Sequence, residues 1–233
     1  MNVLEYGKAL YKIKRYDVLH RFKKETKAFE EQVESVTNTL RERGYAVFEN
    51  YFSAEQCENI RQEIDRILID KKSFVTPDKH DSDHRLFGGN NASEIINDLF
   101  WQDHFLNAVR DCYYEHSDIV GCTLAARMDA KKENLGSGGG WHRDMIYGRQ
   151  LKAIGYFSDV TLENGPFQFL DKSHESASIL ESIKQHDFGA FQNRFTNEDI
   201  EKLQSNSDYK SLTFAGKAGT LLLVDTTSIH RGM

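Results

Sequence analysis

The sequence contains little of what usually divides a chain or anchors it in a membrane. Only two prolines occur among its 233 residues, and no stretch rich in glycine and serine could serve as a linker. No run of about eighteen apolar residues is present, as a membrane-spanning helix would require. The first residues also lack the apolar core of a signal peptide. These absences predict a single domain over residues 1–233, without a membrane span, in the cytoplasm.

Cysteine is scarce as well. Cys57, Cys112 and Cys122 are an odd number and form no Cys-x-x-Cys pair, which argues against a disulfide framework or a thiolate metal site. Free cysteines of this kind usually behave as small apolar core residues. We therefore expect three reduced, buried cysteines.

Charge of one sign is concentrated in only one segment. The formal net charge of the chain is −6, and an acidic chain is not expected to have nucleic acid as its main partner. Residues 1–27 are the exception, with eight lysines and arginines against three acidic residues. This segment is either the solvated face of an amphipathic helix or a contact to an anionic partner or membrane surface.

An apolar content of 39% is enough for a core, and its amino-terminal part has a helical period. The apolar residues that recur at steps of 7, 4, 3 and 4 are Phe22, Phe29, Val33, Val36 and Leu40. Gly44 is a typical helix stop, so residues 1–44 are predicted to form a helical extension. Ser53, followed three residues later by Gln56, predicts a capped helix that runs to about residue 68.

After a predicted helix over residues 94–114, the apolar period changes to two over residues 119–128. The apolar set of this strand is Cys122, Leu124, Ala126 and Met128. If that set packs under the helices, Arg127 faces the interior, where it needs a carboxylate partner. Alternatively, Arg127 lies at the mouth and pairs with a local aspartate. Further strands are predicted over 151–160, 167–170 and 219–226, and Thr196 with Asp199 predicts a helix start.

Two imidazoles and one carboxylate carry the chemistry. His142 and Asp144 are separated by one residue, and alternate residues of an extended strand share a face. His230 follows the predicted strand 219–226, whose unbroken apolar run favours it over His174 as the second imidazole. Two histidines and one carboxylate on one face of a metal leave the opposite positions open, as in the facial triad of non-haem Fe(II) oxygenases. These three are the predicted catalytic and metal-binding residues.

Four segments of the chain resemble the phytanoyl-CoA dioxygenase (PhyH) family. They are Gly-Gly-Gly-Trp-His-Arg-Asp (138–144), Glu-Asn-Gly-Pro-Phe-Gln-Phe (163–169), Lys-Ser-His (172–174) and Gly-Thr-Leu-Leu-Leu-Val-Asp-Thr-Thr-Ser-Ile-His-Arg-Gly (219–232). They occur in the family's order, and the resemblance covers about residue 44 onwards. It implies a fold that is mainly β with flanking helices (α+β). This would be a double-stranded β-helix, a jelly-roll or cupin-like barrel with the amino-terminal helices packed on it. Residues 171–211 would be an insertion or a lid.

The resemblance also implies the cofactors: Fe(II), with 2-oxoglutarate and O₂ as co-substrates. By resemblance, Lys152 and Tyr156 share the inward face of their strand. With Arg127 and Thr227 they are the predicted cofactor-binding residues. Thr227, at the end of the strand before the second histidine, would help to orient that imidazole.

Three other residues are predicted to contact a small-molecule substrate: Arg85, Trp141 and Gln168. Arg85 could meet an anionic group, Trp141 could form a pocket wall beside the metal, and Gln168 lies on a hairpin that edges the active site in the family. In the family, an arginine on the last strand binds the distal carboxylate of 2-oxoglutarate, about ten residues beyond the second histidine. Only three residues follow that histidine here, so we expect the barrel to be incomplete at its carboxyl end.

The implied reaction is hydroxylation of an unactivated C–H bond, coupled to decarboxylation of 2-oxoglutarate to succinate and CO₂. Related halogenases lack the carboxylate ligand, so the presence of Asp144 favours hydroxylation. Two alternatives stay open. One is a cupin-type metal-binding jelly roll without 2-oxoglutarate chemistry, although such sites usually collect three or more histidines. The other is a non-catalytic ligand-binding barrel.

Overall fold

A computed structural model describes residues 31–77, 81–114, 121–129, 139–205 and 209–233. The predicted basic segment 1–27 and Gly138 of the glycine run lie outside the described residues. The helices are α1 Glu31–Arg43, α2 Ala54–Asp70, α3 Gly89–Ala92, α4 Glu94–Ile96, α5 His104–Tyr114, α6 Ser176–His186 and α7 Asn197–Ser205. The strands are β1 Tyr45–Phe48, β2 Thr76–Pro77, β3 Asp83–Phe87, β4 Leu124–Met128, β5 Leu151–Tyr156, β6 Phe167–Leu170, β7 Ser211–Phe214, β8 Thr220–Asp225 and β9 His230–Gly232. No helix among the described residues is long and apolar enough to cross a membrane.

The first helix ends where the sequence predicts. Val33 and Leu40 of α1 are buried, in agreement with the described part of the apolar stripe. Gly44 adopts a φ of 78° and donates its N–H to the carbonyl of Leu40 at 2.8 Å. This left-handed residue turns the chain directly into β1, because glycine adopts the conformation without steric cost.

The predicted capping box at the start of α2 is confirmed. The Ser53 side chain accepts a hydrogen bond from the Gln56 N–H at 3.1 Å, and the Gln56 side chain accepts one from the Ser53 N–H at 2.8 Å. Two donors that the first helical turn leaves without partners are thereby satisfied. Helix α2 is fixed at its start and buries Ile60 and Ile67 against β3 and β4.

We expect Ser53→Ala to lower the free energy of unfolding by about 1 kcal/mol, the usual cost of removing a helix cap. Urea denaturation followed by circular dichroism measures the change. Glu55→Ala in the same turn is the control, because it leaves both capping hydrogen bonds in place. Equal stability of Ser53→Ala and wild type would contradict the stabilising role of the cap.

The helix predicted over residues 94–114 is interrupted, which corrects the sequence interpretation. Helix α4 passes into a π-helical segment, Asn97–Trp101, and α5 starts afresh at His104. The Trp101 indole donates to the Thr123 hydroxyl at 2.5 Å, and Asp103 Oδ1 accepts the N–H of Leu106 at 2.8 Å. A tertiary hydrogen bond and a new cap therefore end one helix and begin another, although the apolar spacing runs through both.

The strands of the described residues form three antiparallel sheets of three strands each. Their orders are β1-β8-β5, β2-β3-β4 and β7-β6-β9. None of the sheets among these residues closes on itself. The mixed α and β composition agrees with the predicted class, whereas a closed barrel is not seen in this part of the chain.

Strand β4 faces the opposite way from the predicted orientation. Ala125 is buried against Ile96, on the side of the sheet that α2 covers. Leu124 and Met128 are 42% and 55% exposed. Arg127 is exposed and pairs with Asp65 at 3.5 Å and Asp129 at 3.8 Å. The prediction of an inward Arg127 is therefore wrong, and the alternative of a local aspartate partner is confirmed. The small side chain of residue 125, rather than the larger apolar ones, allows the helices to approach this sheet.

The central strand β8 organises the core, since all of its residues are buried. Leu221 and Leu223 pack against α1 and α5, and Leu222 and Val224 pack towards β6 and β7. Burial on both faces explains the unbroken apolar run, because a half-exposed strand would alternate. This strand delivers the chain to β9 and therefore fixes the position of His230.

The segment between β6 and β7 folds on the end of this core. Helix α7 packs with Leu170 and Ile229 in one apolar cluster, and helix α6 packs with Ala190 and Ile146 in another. The predicted helix start is present, since Thr196 and Asp199 exchange hydrogen bonds of 2.9 and 3.1 Å. The lid role of this insertion stays a prediction.

The free cysteines do not all lie in the core. Cys57 is buried and Cys112 is partly buried, as the sequence predicts, but Cys122 is exposed. Cys122 lies just before β4, on the same exposed set as Leu124, so the reversed orientation of that strand also explains its exposure.

Candidate metal centre

Two backbone hydrogen bonds place the two imidazoles side by side. The His142 N–H donates to the His230 carbonyl at 2.9 Å, and the His230 N–H donates to the His142 carbonyl at 2.7 Å. The ring centroids are 4.3 Å apart. The prediction that His142 lies within an extended strand is wrong, because only this isolated bridge and one to Arg194 are formed there. The β-bridge itself brings the two histidines together.

The carboxylate of Asp144 completes the cluster. Its backbone N–H donates to the Thr226 carbonyl at 2.9 Å, which holds the turn after His142 against the end of β8. The Asp144 Oδ1 lies 3.8 Å from His142 Nε2, and its Oδ2 lies 3.5 Å from His230 Nε2. One ligand atom from each side chain lies within 4.8 Å of the others. The structure thus brings together all three residues that the sequence predicts.

The imidazoles have the hydrogen-bonding pattern of metal ligands. His142 Nδ1 is 2.9 Å from the Gly140 carbonyl and His230 Nδ1 is 2.8 Å from the Ser228 carbonyl. We therefore assign the proton to Nδ1 in each ring, which directs the Nε2 lone pairs towards Asp144. Burial lowers the pKa of both histidines, that of His230 to about 4. Both rings are accordingly neutral at neutral pH, as metal coordination requires.

A lysine neutralises the carboxylate. Burial raises the pKa of Asp144, but the hydrogen bond and charge of Lys152 outweigh burial, so the pKa lies below its usual value. Lys152 Nζ is 2.5 Å from Asp144 Oδ2. The lysine lies opposite Val224 of β8, on the strand face that also carries Ile154 and Tyr156. Of the four predicted cofactor-binding residues, Lys152 is the one in contact with the triad.

The hydroxyl groups of Tyr156 and Thr227 both donate to backbone carbonyls of the fold. The Tyr156 hydroxyl donates to the Phe214 carbonyl at 3.0 Å and accepts the Phe167 N–H at 3.1 Å, so it ties β5 to β6 and β7. Thr227 is buried and donates from its hydroxyl to the Gly148 carbonyl at 3.0 Å. Thr227 does not orient the imidazole of the second histidine, whose Nδ1 is held by a backbone carbonyl instead.

A buried carboxylate network supports the loop between β8 and β9. Asp225 accepts hydrogen bonds from the Tyr113 hydroxyl at 2.6 Å, the Thr227 N–H at 2.9 Å and the Gln150 N–H at 3.2 Å. Burial and the nearby Asp225 raise the pKa of Tyr113. The sequence interpretation missed Tyr113, because a tyrosine at a helix end gives no local signal of a partner 112 residues away.

The three predicted substrate residues do not face the metal cluster. Trp141 is buried among α7 and β6 side chains, and the Arg231 guanidinium lies over its ring at 4.4 Å. Gln168 accepts a hydrogen bond from Arg231 Nε at 2.7 Å on the strand face opposite His230. Arg85 belongs to the sheet β2-β3-β4 and donates from its Nε to the Asp83 carboxylate at 2.8 Å. The local sequence predicts that these residues lie near the site, but it does not determine in which direction their side chains point.

Two further basic residues, His174 and Arg143, make contacts outside the metal cluster. His174, the competing imidazole, has its Nε2 3.2 Å from the Arg41 carbonyl and is absent from the metal cluster of the described residues. Arg143 points away from the cluster, is 4% exposed and lies over the Phe195 ring at 5.3 Å. Burial lowers the pKa of Arg143 to about 10, so it stays charged.

The family profile of phytanoyl-CoA dioxygenase (PhyH) matches residues 40–233. The chain belongs to this family. The match spans the triad and every strand of the structure, so the predicted resemblance is confirmed. None of the curated protein sequences matches the chain at a significant level.

Solved structures of 2-oxoglutarate enzymes share the fold. EctD from S. alaskensis is 17% identical, with a TM-score of 0.64 over 89% of this chain and 75% of its own. The α-ketoglutarate-dependent epimerase SnoN from nogalamycin biosynthesis is 14% identical, with a TM-score of 0.55 over 85% and 74%. A Pseudomonas putida prolyl-4-hydroxylase is 12% identical, with a TM-score of 0.55 over 87% and 91%. For this PhyH-family chain, these similarities establish the fold.

Proposed function

We propose that this chain is an Fe(II)- and 2-oxoglutarate-dependent dioxygenase that hydroxylates an unactivated C–H bond of a small molecule and releases succinate and CO₂. The observation that carries the proposal is the convergence of His142 Nε2, His230 Nε2 and the Asp144 carboxylate. Membership of a dioxygenase family supports the reaction class. The expected cytoplasmic location stays a prediction.

The donor set fits ferrous iron. Two neutral imidazoles and one carboxylate are the ligands that non-haem Fe(II) oxygenases use, and they leave positions open for other ligands. His142, Asp144 and His230 would hold the ion. Iron with 2-oxoglutarate and O₂ supplies the oxidising chemistry. The protein would bind and orient the substrate and exclude water from it. Structures of EctD with Fe and of SnoN with Fe³⁺ and α-ketoglutarate support the same cofactors here.

The surroundings of the triad suit a small organic substrate. The Phe167 ring lies 5.4 Å from the His230 ring, and Ile154 and Tyr156 line the same apolar cluster. Aromatic and aliphatic walls with few polar groups position a C–H bond and exclude water. The ligands bound in structures of two neighbours, 5-hydroxyectoine with EctD and nogalamycin RO with SnoN, are small molecules as well.

The two alternatives from the sequence are disfavoured. A cupin-type site without 2-oxo acid chemistry usually gathers more histidines, and this cluster has one carboxylate and two imidazoles. A non-catalytic ligand-binding barrel would have no reason to keep Nδ1 of both histidines bonded to carbonyls and both Nε2 atoms directed at one carboxylate.

The proposal predicts that small metabolites stimulate succinate release from 2-oxoglutarate when Fe(II) and O₂ are present. A metabolite panel is screened for this stimulation, and mass spectrometry then identifies a product heavier by one oxygen atom. Labelling with ¹⁸O₂ should place one labelled atom in the product and one in succinate. If a metabolite stimulates succinate release but its product contains no added oxygen atom, the result would contradict hydroxylation and would still support 2-oxoglutarate turnover.

A further inference from the structure

Lys152 forms an ion pair with Asp144, which is also a proposed metal ligand. Lys152 Nζ lies 2.5 Å from Asp144 Oδ2, and the same oxygen lies 3.5 Å from His230 Nε2. The ammonium is therefore bonded to the carboxylate oxygen that lies closest to His230 Nε2. The Lys152 side chain is 43% exposed and the Asp144 side chain 23% exposed, so the lysine has room to move.

The charge balance of the cluster changes when a metal binds. With both imidazoles neutral, the negative charge of Asp144 and the positive charge of Lys152 cancel. A divalent ion raises the local charge to plus two, and the ion and the ammonium then repel each other across a few ångströms. A dianionic 2-oxo acid would return the local charge to zero.

The lysine is held so that it can make this exchange. Its strand is fixed along its whole length, because β5 pairs with β8 from Leu151 to Tyr156. Lys152 shares the face of Ile154 and Tyr156, which pack in the apolar cluster with Phe167. The side chain thus lies beside the triad, in contact with Asp144. A flexible ammonium beside a bound 2-oxo acid forms charge-assisted hydrogen bonds with its carboxylates.

We propose that the Lys152 ammonium is released from Asp144 when a divalent metal binds, and that it then binds a carboxylate of the 2-oxo acid. This inference rests on the proposed function for its second half only. Lys152 would thus pair with Asp144 in the metal-free protein and with the 2-oxo acid in the metal-bound protein.

The test compares three variants: Lys152→Met, Lys152→Arg and the matched control Lys217→Met. Lys217 pairs with Asp159 at 2.6 Å on the exposed surface, so its loss removes the same charge from a similar pair away from the triad. Binding of Mn²⁺, and of 2-oxoglutarate to the Mn²⁺-loaded protein, is measured by anaerobic calorimetry. 2-Oxobutanoate, which lacks the distal carboxylate, is titrated in parallel.

Opposite changes in the two affinities are expected for Lys152→Met. Mn²⁺ should bind about 3- to 10-fold more tightly, since the competing ammonium is gone. 2-Oxoglutarate should bind about 10- to 100-fold more weakly, since a charge-assisted hydrogen bond is lost. Lys152→Arg should keep most of the 2-oxoglutarate affinity, and Lys217→Met should match wild type in both titrations.

The 2-oxobutanoate titration identifies the carboxylate. If Lys152→Met weakens only 2-oxoglutarate, the ammonium binds the distal carboxylate, and if it weakens both acids equally, it binds the chelating one. Weaker Mn²⁺ binding by Lys152→Met, or unchanged 2-oxoglutarate binding, would overturn the inference and leave the proposed function intact. A wild-type protein that binds Mn²⁺ but neither acid would overturn the proposed function itself.

Discussion

Alanine at His142 or Asp144 is expected to abolish turnover and to weaken metal binding by more than about 100-fold, while the protein stays folded. Substitutions around a metal ligand typically cost 10- to 100-fold in metal affinity or activity, so the loss of a ligand itself should exceed this. Asp144 supplies the only negative charge of the cluster among the described residues. Its replacement leaves a dication facing two neutral rings and a lysine.

The measurement is an Fe(II) or Mn²⁺ titration together with a thermal unfolding curve of each variant. His174→Ala is the matched control, because it removes the imidazole that competes in the sequence but bonds to the Arg41 carbonyl in the structure. Metal affinity should survive in His174→Ala. Full turnover by His142→Ala, or loss of the metal from His174→Ala alone, would show that the ligands have been wrongly assigned.

Gly219→Ala should be among the most destabilising single substitutions in the chain. Gly219 has a φ of 97°, and an added Cβ would lie 2.5 Å from the Phe52 carbonyl oxygen. The backbone of Gly219 is held on both sides, donating to the Tyr156 carbonyl at 2.8 Å and accepting the Phe52 N–H at 3.1 Å. The expected loss is about 2 to 5 kcal/mol, from left-handed strain and overpacking together.

Gly140→Ala separates these two costs. Its φ of 94° is almost the same, yet nothing lies within 4 Å of an added Cβ. Only the conformational cost of about 1–2 kcal/mol should appear. Chemical denaturation of both variants compares them, and equal losses would mean that the contact with Phe52 has no energetic weight.

Local signals in the sequence were reliable where neighbours along the chain complete the interaction. The capping hydrogen bonds of Ser53 with Gln56, and those of Thr196 with Asp199, need no distant partner. Gly44 is equally local, because a helix that ends in a left-handed residue is stabilised by its own last turn. Each of these could be predicted from residue type and spacing alone.

The facing of side chains was not predictable in the same way. The apolar set of β4 suggested burial of Leu124, yet the small Ala125 packs beneath the helices and the larger residue is exposed. Trp141 appeared to be a pocket wall because it precedes His142, but its ring is buried beneath α7. Period-two patterns define two faces of a strand and leave open which face the helices cover.

The prediction of the metal cluster combined residue chemistry with an assumed extended strand, and the structure agrees with the chemistry alone. The segment around His142 and Asp144 is not a regular strand, and the reciprocal backbone bridge with His230 brings the rings together. The donor types were sufficient for the prediction, because few arrangements use two histidines and one carboxylate. The contact between Lys152 and Asp144 spans two elements, and only the structure reveals it.

The most direct test of the account is removal and replacement of the metal during 2-oxoglutarate turnover. The protein is treated with a chelator, dialysed, and assayed for succinate before and after the addition of Fe(II) under air. The account predicts that the stripped protein forms no succinate, that Fe(II) restores its formation, and that Asp144→Ala cannot be restored. Succinate formation by the stripped protein, or equal restoration of Asp144→Ala, would contradict it.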